Sequence, residues 1–169
     1  MPLNPQNLYA CSNLPIHLSA YVDTFRYNLP YKTLFGGAIA IPEDLFKGVN
    51  GFSNRFSGDQ KASEFFRLKE IAYYFCIHTS SFQGWGGEDD DFWINRLSAY
   101  TNNKMLRYDQ TISKYRMLPH IKASPSKDRF QMLRKGHEEE LLEDGLDSVD
   151  YSVISAVERD RYFHFLVTV

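Results

Sequence analysis

Residues 84–91 read Gly84-Trp85-Gly86-Gly87-Glu88-Asp89-Asp90-Asp91, the densest run of chemistry in a chain of 169 residues. The acids immediately precede Phe92, Trp93, Ile94 and Leu97, whose spacing lets all four share one side of a helix. Acids in a first helical turn oppose the positive end of the helix dipole, at about 0.3–1 kcal/mol each. Four in a row go beyond that need, because their mutual repulsion grows with each addition. Trp85 stands between glycines, whose backbone freedom suits a packed core residue badly. Two readings are open here: an acid-capped structural helix, or a mobile tryptophan lid beside a carboxylate base.

Upstream of this octet, residues 34–41 (LFGGAIAI) form an apolar run of strand length. Gly36 and Gly37 interrupt it, and their missing side chains would let a ligand approach the backbone closely. Pro2, Pro5, Pro15 and Pro30 make the first thirty residues loop around one short strand at 16–22. Pro42-Glu43-Asp44 opens a short helix over 44–48, and Asn50-Gly51 marks a turn. Phe65, Leu68, Ala72 and Phe75 recur at helical spacing and predict a helix over 59–74. Downstream, 111–118 predicts a strand, 119–125 a loop, and 128–142 a helix ended by Gly145. Residues 151–157 and 162–169 alternate as a closing strand pair. Mixed strands and helices, with no repeat and no dividing linker, predict an α/β or α+β domain.

Composition narrows the function. Apolar residues make up 43% and charged residues 24%, a globular balance. Lys+Arg 19 against Asp+Glu 21 gives a net charge of −2, without the basic excess that phosphate neutralisation demands of a nucleic-acid binder. The longest nearly uncharged apolar stretch, 71–77, is too short to cross a bilayer, and no signal-peptide pattern follows Met1. Cys11 and Cys76 set no disulfide framework and match no zinc spacing, so they read as buried free thiols. Aromatics reach 15%, with 11 Tyr and 13 Phe; such a surplus builds cores, or platforms for sugar rings. Met117 and His120 are either core filler beside a surface histidine or two positions around a divalent metal. Thioether is a poor match for a hard ion, and a third, carboxylate ligand would have to come from elsewhere.

Taken in order, these segments resemble the C-terminal half of the catalytic domain of the beta-1,4-galactosyltransferase family. The likeness is carried by Leu8-Tyr9 with Cys11, Leu29-Pro30-Tyr31, Phe35-Gly36-Gly37 and Asn50-Gly51-Phe52. It continues through the octet, Met117 with His120, Arg129-Phe130 and Asp144-Gly145-Leu146, and runs nearly end to end. The resemblance implies part of a GT-A glycosyltransferase fold of the α/β class, a mixed sheet with flanking helices. It implies an inverting transferase that moves galactose or N-acetylgalactosamine from a UDP-sugar to the 4-hydroxyl of a terminal N-acetylglucosamine, in glycoconjugate synthesis. By the match, Asp89 is the base, and Glu88, Asp90, Tyr31, Arg129, Phe130 and Leu133 meet the acceptor. Trp85, Gly86 and Gly87 form the lid and Leu34, Phe35, Gly36 and Gly37 the donor wall. Met117 and His120 match two ligands of manganese (Mn2+). The partners implied are UDP-galactose or UDP-N-acetylgalactosamine and an N-acetylglucosamine-terminated glycan. The address implied is the lumenal side of the Golgi membrane, with the anchor outside this chain.

Three departures from the family pattern stand beside that likeness. The aspartate-rich metal motif and the nucleotide-binding first half have no counterpart here, so the chain alone is expected to be inactive and Cys11 unpaired. A non-catalytic sugar-binding remnant is the alternative reading. Residues 57–82 are an insertion whose removal restores Arg55-Phe56-Gln83-Gly84-Trp85. Phe82-Gln83 can be encoded by a common intron end, so the insertion reads as a retained intron in an incomplete gene model, with a genuine helical insert as the other option. Leu34 stands where many galactose-transferring members carry tyrosine. A smaller side chain there leaves room for the N-acetyl group of UDP-N-acetylgalactosamine.

Overall fold

Turns, more than propensity, decide how far each strand runs. A computed structural model describes residues 1–10, 12–56, 76–79, 87–119, 128–134, 144–159 and 162–168. The strand expected over 16–22 is two strands, β1 (Ile16–His17) and β2 (Tyr21–Val22), in different sheets. The cause lies between them: the Leu18 and Ser19 N–H groups both donate to the Ala38 carbonyl, at 2.9 and 3.2 Å, which breaks the ladder and redirects the chain. Of the apolar run 34–41, only its end becomes a strand, β3 (Ile39–Pro42). Residues 34–38 stay irregular.

After β3 the chain enters α1 (Glu43–Gly48) as the sequence predicts. The Asn50-Gly51 turn follows, both residues left-handed at φ 57° and 66°. The main sheet has the order β4-β3-β1-β5, where β4 is Cys76–Thr79 and β5 is Leu106–Arg107. β1 lies antiparallel to β3 and parallel to β5, so His17 sits between Ile39 and Arg107. This mixed sheet with few helices agrees with the α/β class. The helix expected over 59–74 falls outside the described residues.

The strand expected over 111–118 shrinks to β6 (Lys114–Tyr115), parallel to β2. Asp109 is the reason. Its side chain accepts from Thr111 N–H at 2.8 Å and its carbonyl from the Ile112 and Ser113 N–H groups, so a turn occupies the first half of that segment. Downstream, α4 (Arg129–Arg134) accounts for the described part of the predicted helix 128–142. β7 (Ser152–Arg159) and β8 (Tyr162–Thr168) form the predicted antiparallel pair, with a bulge at Ile154.

The acids form α2 (Glu88–Asp91), which continues through a π-helical turn (Phe92–Leu97) into α3 (Ser98–Tyr100). The buried face differs from the expected one. At about 100° per residue Phe92, Trp93, Arg96 and Leu97 already lie on one side; all four are buried, while Ile94 is 49% exposed. Ile94 therefore does not join the packed side. Phe92 stacks on Phe52 at 4.1 Å between centroids and on Phe35 at 6.3 Å, and Trp93 meets Phe35 at 5.2 Å. Together with Ile39, Ile41, Phe46, Val49 and Leu97 these rings make the larger core. Such ring pairs add about 0.5–1.5 kcal/mol each beyond the area they bury.

Arg96 takes the place the apolar pattern gave to Ile94, and it is 2% exposed. Its guanidinium donates to Asp91 Oδ2 at 3.2 Å, Asp144 Oδ2 at 2.9 Å, the Asp144 carbonyl at 2.8 Å and the Gly51 carbonyl at 3.2 Å. Asp144 also accepts from Ser53 Oγ, the Asn54 N–H and Arg55 Nε. Burial pushes the Asp144 carboxyl up, but these donors and the Arg96 charge outweigh it and hold the group below its ordinary range. Removing one partner of such a buried pair costs about 3–5 kcal/mol.

Arg96→Met should accordingly lower unfolding stability by about 3–5 kcal/mol in a urea titration at neutral pH. The folded protein holds Asp144 ionised more tightly than the unfolded chain does. Its stabilisation is therefore full above the unfolded carboxylate range and is lost as pH falls through the lowered folded value. The wild-type urea midpoint should drop on acidification below about pH 4, and that drop should be shallower in Arg96→Met.

Candidate functional site

Gly87 starts the acid helix in a left-handed conformation, φ 95°, with its carbonyl accepting from the Asp91 N–H at 2.9 Å. The positive φ favours glycine here, and a Cβ would also press on Phe56 at 3.3 Å and touch Leu133 at 3.4 Å. From there each acid takes a separate environment. Asp91 is buried against Arg96 and also accepts from Asn95 Nδ2 at 2.8 Å, while Asn95 reaches the Leu133 carbonyl at 3.3 Å. Asp90 accepts from Tyr31 Oη at 2.8 Å. Asp89 lies against Gly36.

That last contact sets the chemistry. The space beside the Gly36 Cα is filled by the Asp89 carboxyl, so closely that a methyl group there would fall 2.9 Å from Asp89 Cγ. The sequence reading left the Gly36-Gly37 backbone open to a ligand; at Gly36 the protein's own carboxylate occupies that room. Gly37, at φ 82°, faces Ser19 Oγ instead. Burial, followed by the negative charges of Glu88 and Asp90, pushes the Asp89 carboxyl up to about 8. Asp90 is also raised by burial, and the Tyr31 hydroxyl partly offsets this. The Tyr31 phenol is raised by its burial, by donating to Asp90 and by the charges of Asp90 and Asp89.

The structure thus sets the Gly36–Asp89 contact beside the Tyr31–Asp90 pair, with Glu88 near enough for its charge to raise Asp89 and Leu133 against Gly87. Phe35 is fully buried beneath them, so it supports the wall from within the core. Leu34 is partly exposed, and its carbonyl accepts from Arg107 Nη2 at 2.8 Å. Phe130 is 57% exposed on α4 beside Arg129, whose backbone alone is described. Trp85, Gly86, His120 and Cys11 lie outside the described residues.

Met117 is 39% exposed, and its N–H donates to Asp23 Oδ1 at 3.0 Å. Among the described residues no group of three or more His, Cys, Asp or Glu could hold a metal ion. Met117 by itself offers one soft thioether, and its expected companion His120 is not among the described residues. Residues that the sequence reading gave no role are also part of the arrangement: His17, Ser19, Asp23, Asn95, Arg96 and Arg107. Asp144 was quoted there only as part of a motif. A charged or polar residue within an apolar stretch was the one available signal for His17 and Arg96.

A family model described as the N-terminal domain of galactosyltransferase matches residues 16–58 and 78–121, with 59–77 left out. Beta-1,4-galactosyltransferase 1 of Bos taurus is 32% identical over 173 residues, covering 100% of this chain and 36% of the relative. Beta-1,4-galactosyltransferase 6 of Rattus norvegicus is 31% identical over 161 residues, 94% of this chain and 35% of the relative. Beta-1,4-galactosyltransferase 5 of Danio rerio is 30% identical over 167 residues, 98% and 36%. The chain spans about a third of the length of the curated relatives it matches. Among the described residues, no helix is long and apolar enough to cross a membrane.

Gly36→Ala tests the seat of Asp89. The clash is with the end of a flexible side chain, so the fold should persist while the carboxyl is displaced. The Asp89 midpoint, followed by carboxyl 13C NMR, should fall from near 8 toward the ordinary carboxylate range.

Proposed function

Because this chain belongs to the beta-1,4-galactosyltransferase family, we propose that its full-length protein transfers galactose or N-acetylgalactosamine from a UDP-sugar to the 4-hydroxyl of an N-acetylglucosamine-terminated glycan, with inversion at the anomeric carbon. The acceptor oxygen forms a bond to that carbon as the bond to the UDP oxygen breaks on the opposite face. Asp89 takes the hydroxyl proton. The observation that carries the reading is the seating of Asp89: a carboxylate, half withdrawn from water beside Glu88 and Asp90, with a pKa near working pH. That is the property a general base requires.

The neighbours suit an acceptor sugar. Asp90, oriented by Tyr31 Oη, and Glu88 offer carboxylate oxygens to sugar hydroxyls, and the Tyr31 ring offers a face for the C–H side of a sugar. Leu133, against Gly87, adds to that apolar rim, and Arg129 and Phe130 join it by the family match. Trp85 and Gly86, by the family match, close over donor and acceptor. Manganese belongs to this reading through Met117 and His120; it would neutralise the leaving diphosphate. The family match also supports a Golgi lumenal address.

Leu34 bears on the donor. An aliphatic side chain leaves space for the C2 N-acetyl group that a tyrosine would crowd, so both donors remain substrates in this proposal. A competition between UDP-galactose and UDP-N-acetylgalactosamine on the full-length enzyme should show use of both. Strong rejection of UDP-N-acetylgalactosamine would remove the role given to Leu34.

Asp89→Asn should reduce transfer by about 10²–10⁴-fold while glycan binding persists. In the wild type, kcat/KM should rise with pH as Asp89 loses its proton, with a midpoint near 8. A flat profile from pH 6 to 9 would exclude Asp89 as the base.

A further inference from the structure

Residues 32–38 cross from the Tyr31 turn to β3 without belonging to a strand, yet their backbone polar groups are fixed one after another. His17, on β1 and 0% exposed, places Nε2 at 2.9 Å from the Gly36 carbonyl. Ser19 Oγ donates to the same oxygen at 3.1 Å and accepts the Ala38 N–H at 2.7 Å. Arg107, the neighbour of His17 across the β1–β5 pairing, donates from Nη2 to the Lys32 and Leu34 carbonyls, each at 2.8 Å. Two side chains from the sheet, His17 and Arg107, and Ser19 from the turn after β1 therefore take the place of a missing ladder partner.

The histidine's tautomer follows from its partners. Arg107 Nε–H lies 3.3 Å from His17 Nδ1, so that nitrogen accepts and Nε2 carries the proton given to Gly36. Burial, then the positive charge of Arg107, hold the ring's pKa down to about 3, so it stays neutral throughout the working range. A permanently neutral ring with both nitrogens engaged is a strut and not a proton carrier. The Phe35 ring packs edge-on to it at 6.0 Å.

The strut bears on Asp89. Gly36, whose carbonyl His17 and Ser19 hold, is the residue whose bare Cα receives the Asp89 carboxyl. We propose that His17 and Arg107 are positioning residues: they lock the backbone of 32–36 as the wall that seats Asp89 and so fix its reach toward the acceptor hydroxyl. The seating itself depends only on this chain; its consequence for transfer rests on the activity proposed above. A misplacement of about 1 Å at a reacting group can cost about 10²-fold in rate.

The test uses His17→Gln, His17→Phe and Arg107→Lys in the full-length protein, with two readouts. The first is the Asp89 titration by carboxyl 13C NMR, with Glu88, Asp90 and Tyr31 as the titratable groups beside it. The second is the split of kcat and acceptor KM. Gln keeps a donor for Gly36 and an acceptor for Arg107, so His17→Gln should stay close to wild type in both. His17→Phe keeps bulk without hydrogen bonds, and Arg107→Lys cannot serve two carbonyls and a ring nitrogen. Both should shift the Asp89 midpoint by about one pH unit or more and lower kcat about 10²-fold, with acceptor KM little changed. Should His17→Phe fail to fold, Arg107→Lys, at a half-buried site, decides. An unmoved Asp89 midpoint in folded Arg107→Lys overturns the proposal, as does His17→Gln behaving like His17→Phe. A wild-type protein that transfers no sugar overturns the activity instead, and the titration alone then decides the positioning.

Discussion

The contact between the Asp89 carboxyl and the bare Cα of Gly36 is the constraint around which the rest of the site is arranged. Moving a carboxylate out of water is unfavourable unless donors or a cation compensate it. This one has acidic neighbours on both sides in the chain, so it stays in place only because its surroundings are rigid. Rigidity comes from two directions. From below, Phe35 anchors the glycine segment in a stack with Phe92 and Trp93, residues of the same helical run that carries Asp89. From behind, His17, Ser19 and Arg107 hold the segment's carbonyls and the Ala38 N–H. Glycine wall and acid helix are thus joined through one core.

Helical geometry then divides the labour among the four acids. Successive positions on a helix point about a quarter-turn apart, so no two adjacent acids share an environment. Asp91 turns inward to Arg96, Asp90 meets Tyr31, and Asp89 meets Gly36. The Asp91–Arg96–Asp144 network sets the rotational phase of this helix, because only one orientation lets Asp91 reach the buried guanidinium. Asp144 in turn binds Ser53, the Asn54 N–H and Arg55, so the stem before the octet and the helix after it share one anchor. The Asn50-Gly51 turn joins it, with the Asn50 carbonyl accepting the Leu146 N–H at 2.8 Å. Motifs far apart in sequence are therefore one physical unit.

Part of this was legible from residue order alone. The acid turn at 88–91, the Pro-Glu-Asp helix start, the Asn-Gly turn and the closing strand pair each have a local cause, and each stands where the residue order predicts it. The strand lengths were not legible, because they depend on where Leu18 and Ser19 share one acceptor and where Asp109 folds back on residues 111–113. Ile94 was misplaced for a simpler reason: counting apolar residues gave it a core position that helical spacing gives to the polar Arg96. Arg96 and His17 escaped notice since a single polar residue in an apolar stretch has many fates. Only the partners supplied by distant segments distinguish a strut from a surface charge.

Two carboxylates on this framework, Asp144 buried and Asp89 half-buried, move in opposite directions. Asp144 gathers a guanidinium pair, a hydroxyl and a backbone N–H, and its acidity is strengthened. Every donor it needs is present, as a group that holds a fold together requires. Asp89 is withdrawn from water beside like charges, and its acidity is weakened toward neutrality. Left to stability alone, that arrangement is unfavourable: ionising Asp89 works against the folded state as pH rises toward 8. In the proposed transfer, Asp89 is the group that accepts the acceptor hydroxyl's proton. A proton from an incoming hydroxyl would relieve the charge that burial penalises, so the reaction assigned to Asp89 and the strain placed on it run in the same direction.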